Sequence, residues 1–110
     1  MSQLFELGPP PPTLCVDRMS TESKMVKIFL ADNSIAFLPY SELKGVYYDG
    51  SHTVTAYFTR SNVIFKGNNL HILAEFLAAN SAACIRIFKN DWEAVSGQII
   101  IHQIIFDEVR

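Results

Sequence analysis

Residues 53–80 read TVTAYFTRSNVIFKGNNLHILAEFLAAN, and the architecture turns on how this stretch is parsed. In its first third Val54, Ala56 and Phe58 alternate with Thr53, Thr55, Tyr57 and Thr59. A period of two places one face of a strand on a core and the other in water. Ser61-Asn62 forms a turn into a further strand, Val63–Lys66. At Gly67-Asn68-Asn69 the period changes, because Leu70, Leu73, Ala74 and Leu77 recur at the i, i+3, i+4, i+7 spacing of a helix that buries one stripe. Asn68 or Asn69 is placed to cap its first turn, and the helix is expected to end near Asn80-Ser81. Ile72 and Phe76 add a second apolar ridge, and Glu75 is the single charge. Such a helix needs cover on more than one side.

Working outward, Val46–Asp49 pairs with the Thr53 strand about the turn Asp49-Gly50-Ser51-His52, giving an antiparallel meander. Before it, Met25–Leu30 and Ser34–Leu38 flank Ala31-Asp32-Asn33, whose last two residues tolerate the left-handed backbone of a tight hairpin. Pro39 ends that strand, since it has no N–H for a ladder, and Ser41-Glu42-Leu43 reads as one helical turn. After the helix, Cys84–Phe88 returns to strand, 89–97 is a loop containing Trp92, and Gln98–Phe106 is the most apolar element. Both faces of that last segment are apolar, so it lies between two layers or turns one face to a partner. The order is strand, strand, strand, strand, strand, helix, strand, strand. This predicts an α+β fold: a curved antiparallel sheet of about seven strands, a meander then a helix then two strands, packed on one main helix. Residues 1–23, with Pro9–Pro12 favouring extended polyproline II, read as a Pro-rich arm on a single domain at 24–110. Leu4, Phe5 and Leu7 make the arm able to dock on the domain or on a neighbouring subunit.

The 110 residues fit one domain with a core that needs neither disulfides nor metal. Hydrophobic residues are 49% and charged residues 18%, and no apolar run reaches the length of a membrane helix. With 9 Lys+Arg against 11 Asp+Glu the net charge is -2, and the basic residues are scattered with no two adjacent. A DNA-binding regulatory domain is therefore disfavoured, because phosphate recognition needs clustered cations, and an anionic membrane is disfavoured as a partner for the same reason. Cys15 and Cys84 match no zinc or redox spacing, and Glu6 stands where a secretory signal would carry Lys or Arg. The cytoplasm is the expected location.

Catalytic chemistry finds few candidates. His52, His71 and His102 form no metal-binding pattern, no Gly-x-Ser-x-Gly elbow is present, and Cys84 sits among small and apolar residues that favour a neutral thiol. Neither a cofactor nor a metal is expected. The glycines lack the spacing of a phosphate loop. The leading expectation is a small non-enzymatic module that self-associates, a dimer first, or binds another protein. Ile72, Phe76, Ile100 and Ile104 are its candidate interface residues. Tyr48, Tyr57, Trp92 and His102 are candidate binding residues. Tyr47 and Tyr57 would make a contact patch if they share the outer face of the meander. The alternative is a small-ligand-binding domain with a pocket between sheet and helix, lined by Trp92, His102 and Tyr48.

Overall fold

A computed structural model of the chain describes residues 14–19, 21–89 and 96–108. Among them run β1 (Val16–Arg18), β2 (Met25–Phe29), β3 (Ile35–Pro39), a 3-10 turn (Tyr40–Glu42), β4 (Leu43–Tyr48), β5 (Thr53–Phe58), β6 (Ser61–Asn68), α1 (Leu70–Ala78), β7 (Ala82–Ile85) and β8 (Ile100–Glu108). The fold is α+β as the periodicities require, and the strands divide into two open four-stranded sheets. Sheet A has the order β1-β7-β2-β3 and sheet B the order β4-β5-β6-β8. Every pairing is antiparallel except β2 with β7.

The meander in sheet B follows the alternation closely. Val54 pairs with Phe65 and Ala56 with Val63, and these four side chains are buried. On α1, Leu70, Leu73 and Leu77 are buried against that layer, while Ile72 and Phe76 remain half-buried beside it. Val26 and Ile28 of β2 with Ala82 and Ile85 of β7 bring the inner face of sheet A into the same core cluster.

Several local features differ from the sequence reading. The expected turn at Ser61-Asn62 is already strand, since β6 begins at Ser61 and Asn62 pairs with Tyr57 and Asp107. Strand β1 lies within the segment assigned to the arm: Val16 pairs with Ile85 of β7, and Cys15 and Val16 are buried. Asn69 does not cap the helix with its side chain; its backbone is left-handed (φ 60) and its Nδ2 donates to the Gln98 carbonyl at 2.8 Å, tying α1 to the approach of β8. Strand β7 is shorter than Cys84–Phe88 and begins two residues earlier. Finally, β8 carries a bulge. Lys66 pairs with Gln103 and Gly67 with Ile101, which leaves His102 as the extra residue, exposed on the strand. The helix ends as expected: Asn80 takes the left-handed position (φ 57), and the Ser81 amide donates to the Phe76 carbonyl at 2.9 Å.

Tyr40, where the chain crosses from β3 of sheet A to β4 of sheet B, is anchored on sheet A. Its ring is buried and its hydroxyl donates to the Ala82 carbonyl of β7 at 2.6 Å. Burial, which disfavours the phenolate, pushes its pKa up to about 12. Because the folded state holds this proton more tightly than the unfolded chain, the associated stability is complete below the unfolded pKa near 10 and is lost as pH rises through about 12. Alkaline urea titrations should therefore show a loss of about 2–3 kcal/mol across that window. The loss should be clearly smaller in Tyr40→Phe, where only other groups such as buried Cys15 still contribute, and an equal loss in that variant contradicts the assignment.

Candidate functional site

The β2–β3 hairpin is built by local chemistry. The Asp32 carboxylate accepts from the Ser34 amide at 3.0 Å and also from the Ser34 hydroxyl, and these bonds lower its pKa. Asn33 takes a positive φ of 71, and the Leu30 amide closes the loop by donating to the Ser34 carbonyl at 2.9 Å. The register then pairs Lys27 with Phe37 and Phe29 with Ile35, and the period of two puts all four on the outer face of sheet A. There Phe37 is 54% exposed, with Ile35 and Met25 each at 41%. The Lys27 ammonium lies 5.9 Å from the Phe37 ring centroid, and on the inner side of the hairpin Val26 and Ile28 are fully buried.

Beside this hairpin, just after β7, Arg86 organises the amino-terminal strand. Its guanidinium donates to Asp17 and to the Leu14 carbonyl, both at 2.8 Å, and lies 5.4 Å from the Phe29 ring. The hydrogen bond to Asp17 is the first cause of the upward shift in its pKa. A cleft of about 620 Å³ opens between the hairpin and this region, lined by Phe29, Leu30, Ile35, Arg86, Ile87 and Lys89. A second, largely apolar cleft of about 410 Å³ lies between β1 and the helix, lined by Leu14, Cys15, Val16, Ile72, Phe76 and Ile99.

Sheet B also has an apolar outer row. Tyr47 pairs with Thr55, Thr55 with Ile64 and Ile64 with Ile105, so these four side chains cross the sheet in line. Tyr57 lies in the next row, and Tyr47 and Tyr57 are 60% and 39% exposed. The two tyrosines do share the outer face of the meander.

Of the remaining candidates, Tyr48 is half-buried on β4 with its hydroxyl donating to the Ser51 carbonyl at 3.2 Å and its ring 6.2 Å from His71. His102 stands on β8, at the opposite edge of sheet B with β5 and β6 between. At about 4.8 Å per strand spacing that separates the two backbones by roughly 14 Å. Trp92 lies outside the described residues. Ile104 faces the core side of β8 opposite Phe65, and Ile100 is half-buried where β8 begins opposite Asn68. The surface on Met25, Ile35 and Phe37 was not singled out from sequence. The signal was present: Ile35 and Phe37 alternate with Ala36 and Leu38 in a strand with no polar residue, so either face would carry apolar groups.

Among the described residues no group of three or more His, Cys, Asp or Glu side chains is placed to hold a metal ion. His52 is occupied locally, its Nδ1 lying 3.2 Å from the Gly67 carbonyl. Both cysteines are free thiols. Cys15 is buried, which pushes its pKa up against the smaller opposing pull of the Ile101 amide, 3.4 Å from its sulfur. A thiol-reactive dye should accordingly label half-buried Cys84 in the native protein and reach Cys15 only on unfolding; equal native rates contradict this placement. Comparison with protein-family models, characterised proteins and solved structures finds no match to this chain.

Proposed function

We propose that the chain is a small non-enzymatic module that works by association, with a second copy of itself or with another protein, through its exposed apolar sheet surface. The observation that carries this reading is the outer face of sheet A, where Met25, Ile35 and Phe37 stand together in solvent on one hairpin. Monomeric proteins seldom leave large contiguous apolar patches uncovered, and such patches mark interaction sites. The Tyr47–Tyr57 face of sheet B offers the tyrosine-rich chemistry that interfaces favour. A cytoplasmic location is supported by the two free thiols. Among the described residues no helix is long and apolar enough to cross a membrane.

Size-exclusion chromatography with light scattering and an apolar dye tests the proposal. A species larger than the 12.4 kDa monomer, or a monomer that binds the dye strongly, is expected. A clean monomer without dye binding contradicts it. A second reading, a small-ligand binder, rests on the apolar cleft lined by Ile72 and Phe76. A native-state ligand raises the melting temperature, so a hit in a thermal-shift screen that is lost in Phe76→Glu would favour that reading.

A further inference from the structure

The two sheets have four outer strands, β1, β3, β4 and β8. Exposed strand edges invite pairing with another chain, and proteins blunt them with charge, proline, bulges or shortness. Three of the four are blunted in this way. Strand β1 is three residues long, carries Asp17 and Arg18 and has a register break. Strand β4 carries Lys44 and a break before Gly45. Strand β8 carries the bulge at His102 and ends in Asp107 and Glu108. Strand β3, Ile35-Ala36-Phe37-Leu38-Pro39, has no charge and pairs with β2 without a break; its one blunting residue, Pro39, stands at its last position and leaves Ile35 to Leu38 open.

The direction of its free backbone groups follows from the ladder. The Leu30 amide donates to Ser34, and the Tyr40 amide donates to Lys24. In an antiparallel pair, hydrogen-bonded and non-bonded positions alternate. The register Val26 with Leu38 and Ile28 with Ala36 then makes these the bonded pairs between those two ends. Ala36 and Leu38 therefore point their N–H and C=O groups at β2. Ile35 and Phe37 point theirs away, to the open edge, and their amides have no partner among the described residues. The two residues with free edge groups are also the two that expose large apolar side chains.

We infer that β3 pairs antiparallel with β3 of a second copy about a two-fold axis at Ala36, merging two A sheets into one of eight strands. This rests on the association reading above and names its partner and its register. With Ala36 on the axis, Ile35 of each copy lies opposite Phe37 of the other. Both pairs are then hydrogen-bonded positions, each exchanging two bonds, and every free N–H and C=O of Ile35 and Phe37 is used. Pro39 falls opposite Asn33, beyond the strand end, where its missing N–H leaves no gap in the ladder. Centring the axis on Phe37 instead would set Pro39 opposite Ile35 and leave one ladder bond unmade at each end. On the outer face the chosen register lays Ile35 of one copy beside Phe37 of the other, covering the side chains that the single chain exposes. An apolar pairing of this kind is self-complementary, as an isologous interface must be.

Two variants test the inference alongside the native chain, over about a hundredfold range of concentration in light scattering. Phe37→Pro removes an edge N–H that β2 does not use, and should abolish the dimer while keeping the fold. Ala36→Cys puts two thiols opposite each other at a non-hydrogen-bonded position, where the Cα atoms lie about 4.5 Å apart and a disulfide can close. In a Cys84→Ser background, which removes the accessible native thiol, it should cross-link on oxidation where the same chain with Ala36 does not. A native dimer that persists in Phe37→Pro without cross-linking of Ala36→Cys overturns this inference and leaves association through another surface standing. A native chain that is monomeric throughout also overturns it, and dye binding then decides whether the broader association reading falls too. If Phe37→Pro does not fold, the Ala36→Cys cross-link alone decides.

Discussion

Gly67→Ala should destabilise the protein by about 3 kcal/mol or more in urea denaturation, and is expected to yield little folded material. Gly67 is buried on β6 at the point where β8 bulges toward it. A Cβ at this position would lie 1.8 Å from the Ile100 carbonyl oxygen and 2.8 Å from its carbon, both backbone atoms. No rotamer relieves that overlap, so the strands must part. Parting them would break the Gly67–Ile101 pairing and the neighbouring tie from Asn69 to Gln98. The demand is for close approach, since Gly67 does not have a positive φ. Gly45→Ala is the control: nothing lies within 4 Å of its added Cβ, and it should cost far less. Equal stabilities for the two variants would contradict the packing described at the bulge.

Phe65→Ala should cost about 3–5 kcal/mol, the range for removing a fully enclosed aromatic ring. Phe65 is fully buried, pairing with Val54 on β5 and Ile104 on β8 in the middle of sheet B, and it belongs to the one core cluster. Urea midpoints with unchanged m-values would report the loss cleanly. A cost below about 1 kcal/mol would mean that this layer is loosely packed. Ile35→Ala gives the contrast, because its side chain is exposed in a single copy; it should alter association far more than monomer stability.

What could be read from sequence follows the range of the interactions. The meander and α1 were legible because periods of two and 3.6 are local signals, and the β2–β3 hairpin because Asp32-Asn33 supplies the chemistry of a tight turn. Strand β1 was not, since three residues carry no period and its stability comes from burying Cys15 and Val16 beside a strand some seventy residues away. The parallel contact of β2 with β7 is likewise invisible to local pattern, so the division into two sheets was not foreseen. The bulge in β8 did leave a trace. Ile99 and Ile101 are buried, and the core side resumes at Ile104 and Phe106, a slip of one residue at His102-Gln103. The apolar reading of both faces concealed it. For Asn69, propensity favoured a side-chain cap, but a long-range bond to Gln98 took the amide instead.

The same limits apply to the candidate site. Side-chain chemistry drew notice to His102, Tyr48 and Trp92, yet Tyr48 and His102 stand at opposite edges of sheet B. The residues that expose the largest apolar groups on one hairpin are aliphatic and aromatic members of an ordinary-looking strand. Only the ladder shows that the same two residues also present unpaired backbone groups.

Amide hydrogen exchange of the native chain, followed residue by residue over a dilution series, tests most directly whether association covers this surface. Ala36 and Leu38 should be protected at every concentration, since β2 holds their amides. Ile35 and Phe37 should exchange rapidly in dilute solution and slow progressively as concentration rises. If Ile35 and Phe37 remain rapid up to the most concentrated sample while Ala36 and Leu38 stay protected, the edge is never covered by a second copy and the account of this dimer is wrong.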